Sequence, residues 1–116
     1  MTEQQSTPAG ETPNEQVVEI RDRPAARRYE VTVDGVPAGF ADYERGEGRI
    51  TFTHSEMDDA FAGRGLAGLL ARKSLDDARA AGESVVPMCP FYRSWIQRHS
   101  DYTDLVPEDR RAEFGL

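Results

Sequence analysis

A short glycine-containing segment constrains the fold of this chain more than any other stretch. Ala62 to Ala67 reads Ala-Gly-Arg-Gly-Leu-Ala and runs directly into an apolar repeat. Glycines at 63 and 65 allow a tight turn and leave no side chain over the free N–H groups of a first helical turn. Such a helix end attracts anions, and Arg64 adds a positive charge there. The segment predicts a loop that becomes a helix, serving either as a phosphate cradle or only as a tight turn.

The residues after this loop follow a helical period. One half of a helical wheel is apolar or small, the other half is charged, and only Leu69 breaks the division. Gly82 stands where a left-handed cap would end the helix. The predicted buried side is Leu66, Ala67, Leu70, Ala71, Ser74, Leu75, Ala78 and Ala81.

Three antiparallel strands are predicted before the loop, joined by glycine-containing turns at Asp34-Gly35 and at 45–48. A further short strand is predicted at 17–20. In the third strand Ile50 and Phe52 share a face, and strict alternation predicts that His54 continues it. The three predicted strands are Tyr29–Val33, Val36–Tyr43 and Arg49–His54.

A second apolar strand and a second helix follow the first helix. Residues 85–89 predict the strand, and Pro90 stands where a first helical turn tolerates proline. The helix is predicted over 91–99, and residues 107–114 predict a last helical turn or a frayed end. The fold class is therefore α/β in layers (α+β), a mostly antiparallel sheet with a glycine loop leading into a central helix.

Composition limits the classes of function. The chain has 116 residues, enough for one domain, and a net charge of −7 argues against nucleic-acid binding. Residues 1–16 carry almost nothing to bury and predict a disordered tail, leaving 17–116 as a single domain. No apolar run reaches membrane-spanning length, and a single cysteine, Cys89, fits a reducing compartment. We expect a cytoplasmic protein with no membrane partner and no metal site.

Two short motifs resemble a known family. His54-Ser55-Glu56 closes the strand before the loop, and Cys89-Pro90-Phe91 closes the strand after the helix. Together with the order of strands and the Gly65-x-Ala67 ending of the loop, they resemble the GCN5-related N-acetyltransferases, specifically their short YjdJ-like branch. The resemblance runs from about residue 29 to 105. The first polar position of the family's loop is Ala62 here, so only the backbone part of that loop is retained.

The resemblance implies coenzyme A or acetyl-coenzyme A as co-substrate, in a cleft between two strand ends. Its pyrophosphate would lie on the amides of Gly63, Arg64, Gly65, Leu66 and Ala67, and Tyr92 and Arg93 are further candidate contacts. The family's usual tyrosine acid falls near Ile96, where this chain has no tyrosine. The implied acceptor is an amine, on a small molecule or on a protein.

Three residues are candidates for the chemistry of acetyl transfer. His54 suits a general base near neutral pH, and Glu56 would either orient it or take the proton itself through a water. Cys89, beside a helix start, would either accept the acetyl group covalently or simply be a buried small side chain. His54 also has the ordinary alternative of a half-buried strand histidine.

Three functions therefore remain open from the sequence. The first is an acetyl-coenzyme-A-dependent N-acetyltransferase. The second is a non-catalytic coenzyme A or acyl-coenzyme A binding module. The third, a plain interaction domain, requires His54 and Cys89 to lie apart. A P-loop hydrolase is excluded because no Gly-Lys-Ser or Gly-Lys-Thr follows the glycines. We expect a monomer or a weak dimer.

Overall fold

A computed structural model describes residues 16–116 of the chain. The predicted disordered tail, residues 1–16, lies outside this range except for Gln16. Within the described range, five strands form one sheet in the order β1-β2-β3-β4-β5. The strands are β1 (Val18–Arg23), β2 (Arg28–Val33), β3 (Val36–Gly46), β4 (Arg49–Met57) and β5 (Ser84–Pro87).

The sheet is antiparallel except between β4 and β5, which run parallel. The predicted fold class is therefore confirmed, and β1 corresponds to the further short strand predicted at 17–20, although it extends to Arg23. Asp34 and Gly35 both have positive φ, as the mirror-image turn of a two-residue hairpin requires. The third connection in this part of the sheet repeats that geometry at Glu47 and Gly48.

Two α-helices pack on one face of the sheet. Helix α1 (Leu66–Ala81) ends at Gly82, which has the predicted left-handed conformation. Helix α2 (Pro90–Arg98) starts at the predicted proline. The Tyr29 hydroxyl donates to Asp77 of α1 at 3.0 Å, and Phe52 of β4 stacks on Tyr92 of α2 with ring centroids 4.1 Å apart. Both helices thus cover the face that carries Tyr29 and Phe52.

The chain after α2 packs back onto the helices as short 3-10 turns. Tyr102 and Leu105 of these turns are buried. The Tyr102 hydroxyl donates to Asp76 at 2.7 Å, and Arg79 pairs with Asp104 at 2.7 Å. The turns are Ser100–Leu105, Glu108–Arg110 and Ala112–Phe114.

A β-bulge in β4 overturns the predicted orientation of His54. The register pairs Asp42 with His54 but Tyr43 with Phe52, so Thr53 is an extra residue without a partner on β3. An extra residue breaks the two-residue alternation of a strand. Phe52 is fully buried beneath the helices, whereas the His54 side chain is 56% exposed on the opposite face. The prediction that His54 continues the face of Ile50 and Phe52 was wrong for this reason.

Neither α1 nor α2 covers the opposite face of the sheet, which we call the open face. Cross-strand register places two rows of side chains on it, since directly paired residues point to the same side. One row is Arg28, Asp42 and His54, and the other is Glu30, Phe40 and Glu56. Among residues 16–116, no helix is both long and apolar enough to cross a membrane.

Two glycines of β3 give a matched test of how closely β3 and β4 approach. A Cβ on Gly39 would lie 2.7 Å from the Glu56 carbonyl oxygen and 2.7 Å from the Met57 sulfur, whereas a Cβ on Gly46 would meet nothing within 4 Å. Neither glycine has a positive φ. We expect Gly39→Ala to lower the free energy of unfolding by about 1–3 kcal/mol.

Urea denaturation of both variants measures this effect. We expect Gly46→Ala to stay within about 0.5 kcal/mol of the unmodified chain, because it adds a methyl group in open space. Equal free energies of unfolding for the two variants would contradict the close approach at Gly39.

Candidate functional site

The parallel strands β4 and β5 part at one end of the sheet. They are in register from the pair Arg49 and Ser84 to the pair Phe52 and Pro87. The Cys89 amide then donates to the Phe52 carbonyl at 2.8 Å, and β4 continues to Met57 without β5 beside it. The bulge at Thr53 lies at this point. Bulges change the direction of a strand and often end its pairing. The result is a split between the two strands.

A cavity of about 200 Å³ lies beside this split, and we call it the split cavity. Its walls come from the end of β4, the first turns of α1 and the start of α2, and they are mostly apolar. An apolar cleft with few polar groups is the common form of a small-molecule site. The lining residues are Ser55, Glu56, Met57, Ala67, Leu70 and Phe91.

The glycine loop lies at the α1 side of the split cavity. Gly63 and Gly65 have φ values of +81° and +74°, a conformation that side chains oppose, so the glycines are needed for the turn. Gly65 is the N-cap of α1 and has no side chain to cap it. Among the described residues, no acceptor is bonded to the amides of Gly65, Leu66 or Ala67. These N–H groups are free to bind an anion.

The two candidate arginines lie in different places. Arg64 is exposed in the loop, donates to the Gln16 side chain at 2.8 Å and lies 5.2 Å from the Phe61 ring centroid. Arg93 on α2 donates to the Met88 carbonyl at 3.2 Å, and its guanidinium carbon lies 5.7 Å from the ring centroid of Phe114. Arg64 is therefore beside the free amides, whereas Arg93 ties α2 to the end of the chain.

His54 and Glu56 form a hydrogen-bonded pair on the open face. The distance from His54 Nε2 to Glu56 Oε2 is 2.7 Å, and the two side chains are 56% and 63% exposed. They are two residues apart in β4, beyond the bulge, so they share a face. Glu56 also lines the split cavity. The pair is an accessible acid–base unit at the edge of the split.

Cys89 lies on the other side of the split from this pair. It is the N-cap residue of α2, only 2% exposed, and its sulfur lies 3.2 Å from Ser55 Oγ. Ser55 alternates with His54 and Glu56 along β4, so it points away from them. The structure therefore does not bring Cys89 to His54. Both residues nevertheless border the same split.

Tyr92 is a core side chain in this structure. It is fully buried, its hydroxyl lies 2.7 Å from Ser74 Oγ, and Ser74 also donates to the carbonyls of Leu70 and Ala71. Burial raises the pKa of Tyr92 well above its ordinary value, although the Ser74 hydrogen bond lowers it somewhat. The phenol holds α2 against α1, and it does not reach the split cavity.

Ser55, Met57, Leu70 and Phe91 were not predicted as functional residues, although Leu70 belongs to the predicted buried side of the helix and Ser55 and Phe91 to the two motifs. Ser55 stands between His54 and Glu56 in the motif, and alternation alone would have placed it on the face opposite Phe52, whereas the bulge at Thr53 turns it to the helix side. The other three lining residues looked like ordinary core positions, and no local signal separates a core wall from a cavity wall.

Comparison with known proteins agrees with this geometry. A family model described as GCN5-related N-acetyl-transferase matches residues 28–105. A search of curated proteins finds no match. The matched range contains β2 to β5, both helices, the glycine loop and the split, and the short YjdJ-like branch stays a prediction. Because the match covers more than half of the chain and every element that forms the split, the protein belongs to the GCN5-related N-acetyltransferase family.

Proposed function

We propose that this protein is an acetyl-coenzyme-A-dependent N-acetyltransferase acting on a primary amine. The observation that carries the proposal is the split between β4 and β5, with free helix amides at one side and an acid–base pair at its edge. Each part matches one need of acetyl transfer: a place for an anionic carrier, a narrow apolar passage, and a group that takes a proton.

The residues around the split fit coenzyme A. The amides from Gly65 to Ala67 would hold its pyrophosphate, because they are unpaired within the described residues and lie at the positive end of α1. Arg64 would add charge at the same place. The apolar walls of the split cavity suit the uncharged arm between the pyrophosphate and the thioester.

Acetyl-coenzyme A supplies an activated acetyl group when bound, and the chain must supply proton transfer to and from the reacting atoms. The amine nitrogen must lose a proton to use its lone pair, and the thiolate that departs must gain one. Glu56 lines the split cavity and is held by His54, so we assign it the proton from the amine, with His54 keeping the carboxylate in place. The reverse order, with His54 as base, is the alternative.

We further propose that transfer from donor to amine is direct. Cys89 is 2% exposed and hydrogen-bonded to Ser55, which is the environment of a structural thiol more than of an acyl carrier. Nothing observed favours the non-catalytic binding module, which is separated from the enzyme by turnover alone.

The phosphate cradle is tested by a pair of glycine variants. Gly65→Asp places a carboxylate at the free amides and should weaken coenzyme A binding by about tenfold or more, near 1.4 kcal/mol. Gly48→Asp is the control, because Gly48 has the same φ of +74° and equally open space at the other end of β4. Titration calorimetry measures the affinity of each variant for coenzyme A. Equal affinities would contradict the proposal that the loop amides bind the pyrophosphate.

Measurements of kcat test the roles proposed for Glu56 and His54. Glu56→Gln should lower kcat by about a hundredfold, and His54→Ala by a smaller factor, both with coenzyme A affinity unchanged. Glu44→Gln is the control, since Glu44 is an exposed strand carboxylate paired with Arg27 at 3.5 Å. A larger loss for His54→Ala would make His54 the base. Equal loss of rate and of coenzyme A affinity would make the pair structural.

The direct route is tested on Cys89. We expect Cys89→Ala to keep kcat within about threefold, because direct transfer needs no acyl-cysteine. Intact mass spectrometry of the unmodified chain after incubation with acetyl-coenzyme A should then show no added acetyl group. An acetyl adduct that is lost in Cys89→Ala, together with loss of turnover, would establish the covalent route instead.

A further inference from the structure

A second cavity lies on the open face and meets the split cavity at a shared wall. It has a volume of about 280 Å³, and we call it the open-face cavity. Glu56 and Met57 line both cavities. The two cavities therefore meet at these two residues of β4, and the Glu56 carboxylate that we assign to proton transfer lies on the open face beside the split.

The register of the sheet explains the shape of the open-face cavity. Glu30, Phe40 and Glu56 are directly paired across β2, β3 and β4. Two strand spacings separate the outer members, so their backbones lie about 10 Å apart with an aromatic ring between them. A second bulge, at Ala38 in β3, and the close approach at Gly39 shape the end of the cavity beyond this row.

The lining combines an apolar floor with an acidic rim. Phe40, Pro37, Ala38 and Met57 supply apolar surface. Three carboxylates, from Glu30, Glu56 and Asp58, and a single guanidinium, from Arg28, supply the charge. The rim therefore favours a cation, and the floor favours a hydrocarbon chain.

The charged groups at the two ends of the open-face cavity differ in how many of them already have an ion-pair or hydrogen-bond partner. Glu30 pairs with Arg23 at 3.2 Å, and Arg28 is held by Asp42 at 3.1 Å and lies 3.9 Å from the Phe40 ring centroid. Arg28 is thus engaged and poorly placed to receive an anion. At the other end, Asp58 uses Oδ1 to accept from the Ala60 amide, and Glu56 has only the His54 ring as its described partner.

From this arrangement we propose that the open-face cavity binds the acceptor, and that the acceptor is a primary alkylamine without a negative charge of its own. The ammonium lies at Glu56 and Asp58, beside the split, and the hydrocarbon stem lies on Phe40 and Pro37. This inference rests on the proposed acetyl transfer for its role. In that step the ammonium loses one proton to Glu56, and its nitrogen forms the bond to the acetyl carbon. The carbon–sulfur bond then breaks, and the second proton of the nitrogen passes to the departing sulfur, which gives an amide and the coenzyme A thiol.

Three amines test the substrate class in the full chain with acetyl-coenzyme A. n-Hexylamine has the charge and the stem, ε-aminocaproate has the same stem with a carboxylate at its far end, and ethylamine lacks the stem. We expect n-hexylamine to have the highest kcat/KM of the three, by about tenfold or more over each of the others. Equal values, or a preference for ε-aminocaproate, would overturn the assigned class.

A matched pair of variants tests where the amine binds. Asp58→Asn keeps an oxygen to accept from the Ala60 amide but removes the charge, and should raise KM for n-hexylamine about threefold to fivefold with kcat and coenzyme A affinity unchanged. Asp59→Asn, at the adjacent exposed residue outside the cavity lining, should change nothing. The same KM for both variants would place the amine elsewhere.

Amide chemical shifts separate failure of this inference from failure of the proposed function. n-Hexylamine added to the coenzyme A complex should shift the amides of Gly39, Phe40 and Met57. Such shifts without turnover would keep the amine site and refute the transferase. Turnover without such shifts would keep the transferase and refute this cavity as the amine site.

Discussion

The arrangement of the site depends on the point where β4 and β5 stop pairing. The ladder ends at Phe52 and Pro87, and the Cys89 amide makes the last hydrogen bond to the Phe52 carbonyl. Beyond it, each strand takes a different path. β4 continues toward the glycine loop, whereas the segment after β5 turns at Pro90 into α2. Unpaired backbone is costly when buried, so the opening persists because it borders a cavity and not packed core.

Contacts between aromatic side chains hold β4 and α2 in place on the two sides of the split. Phe52 stacks on Tyr92, the Tyr92 hydroxyl meets Ser74, and Ser74 bonds to carbonyls within α1. One chain of contacts thus joins β4, α2 and α1 directly behind the split. Tyr29 and Asp77 anchor the same helix to β2. A rigid scaffold of this kind positions the loop amides and the His54–Glu56 pair at the surface, outside the core.

Thr53 divides the chemistry between the two faces of the sheet. Without an extra residue, His54 and Glu56 would point to the helix side of the sheet with Phe52. With it, they point to the open face, and Ser55 points toward Cys89 and the split cavity. The inserted residue therefore lets one strand supply a wall of each cavity, and Glu56 lies at the boundary that both cavities share.

Local rules predicted most of the elements. Turn chemistry placed Asp34-Gly35, helical periodicity placed α1, and Gly82 and Pro90 marked helix boundaries, because each depends on the backbone preferences of a few adjacent residues. The glycine loop and the His-Ser-Glu and Cys-Pro-Phe motifs likewise indicated the family from short stretches. What the sequence determined by itself was thus the set of elements, their order and the kind of chemistry. Only the tertiary structure decided that His54 faces away from Phe52, that Cys89 meets Ser55 instead of His54, and that Tyr92 belongs to the core. These depend on register and on contacts between residues far apart in the chain, and a single bulged residue reverses every side-chain direction that follows it.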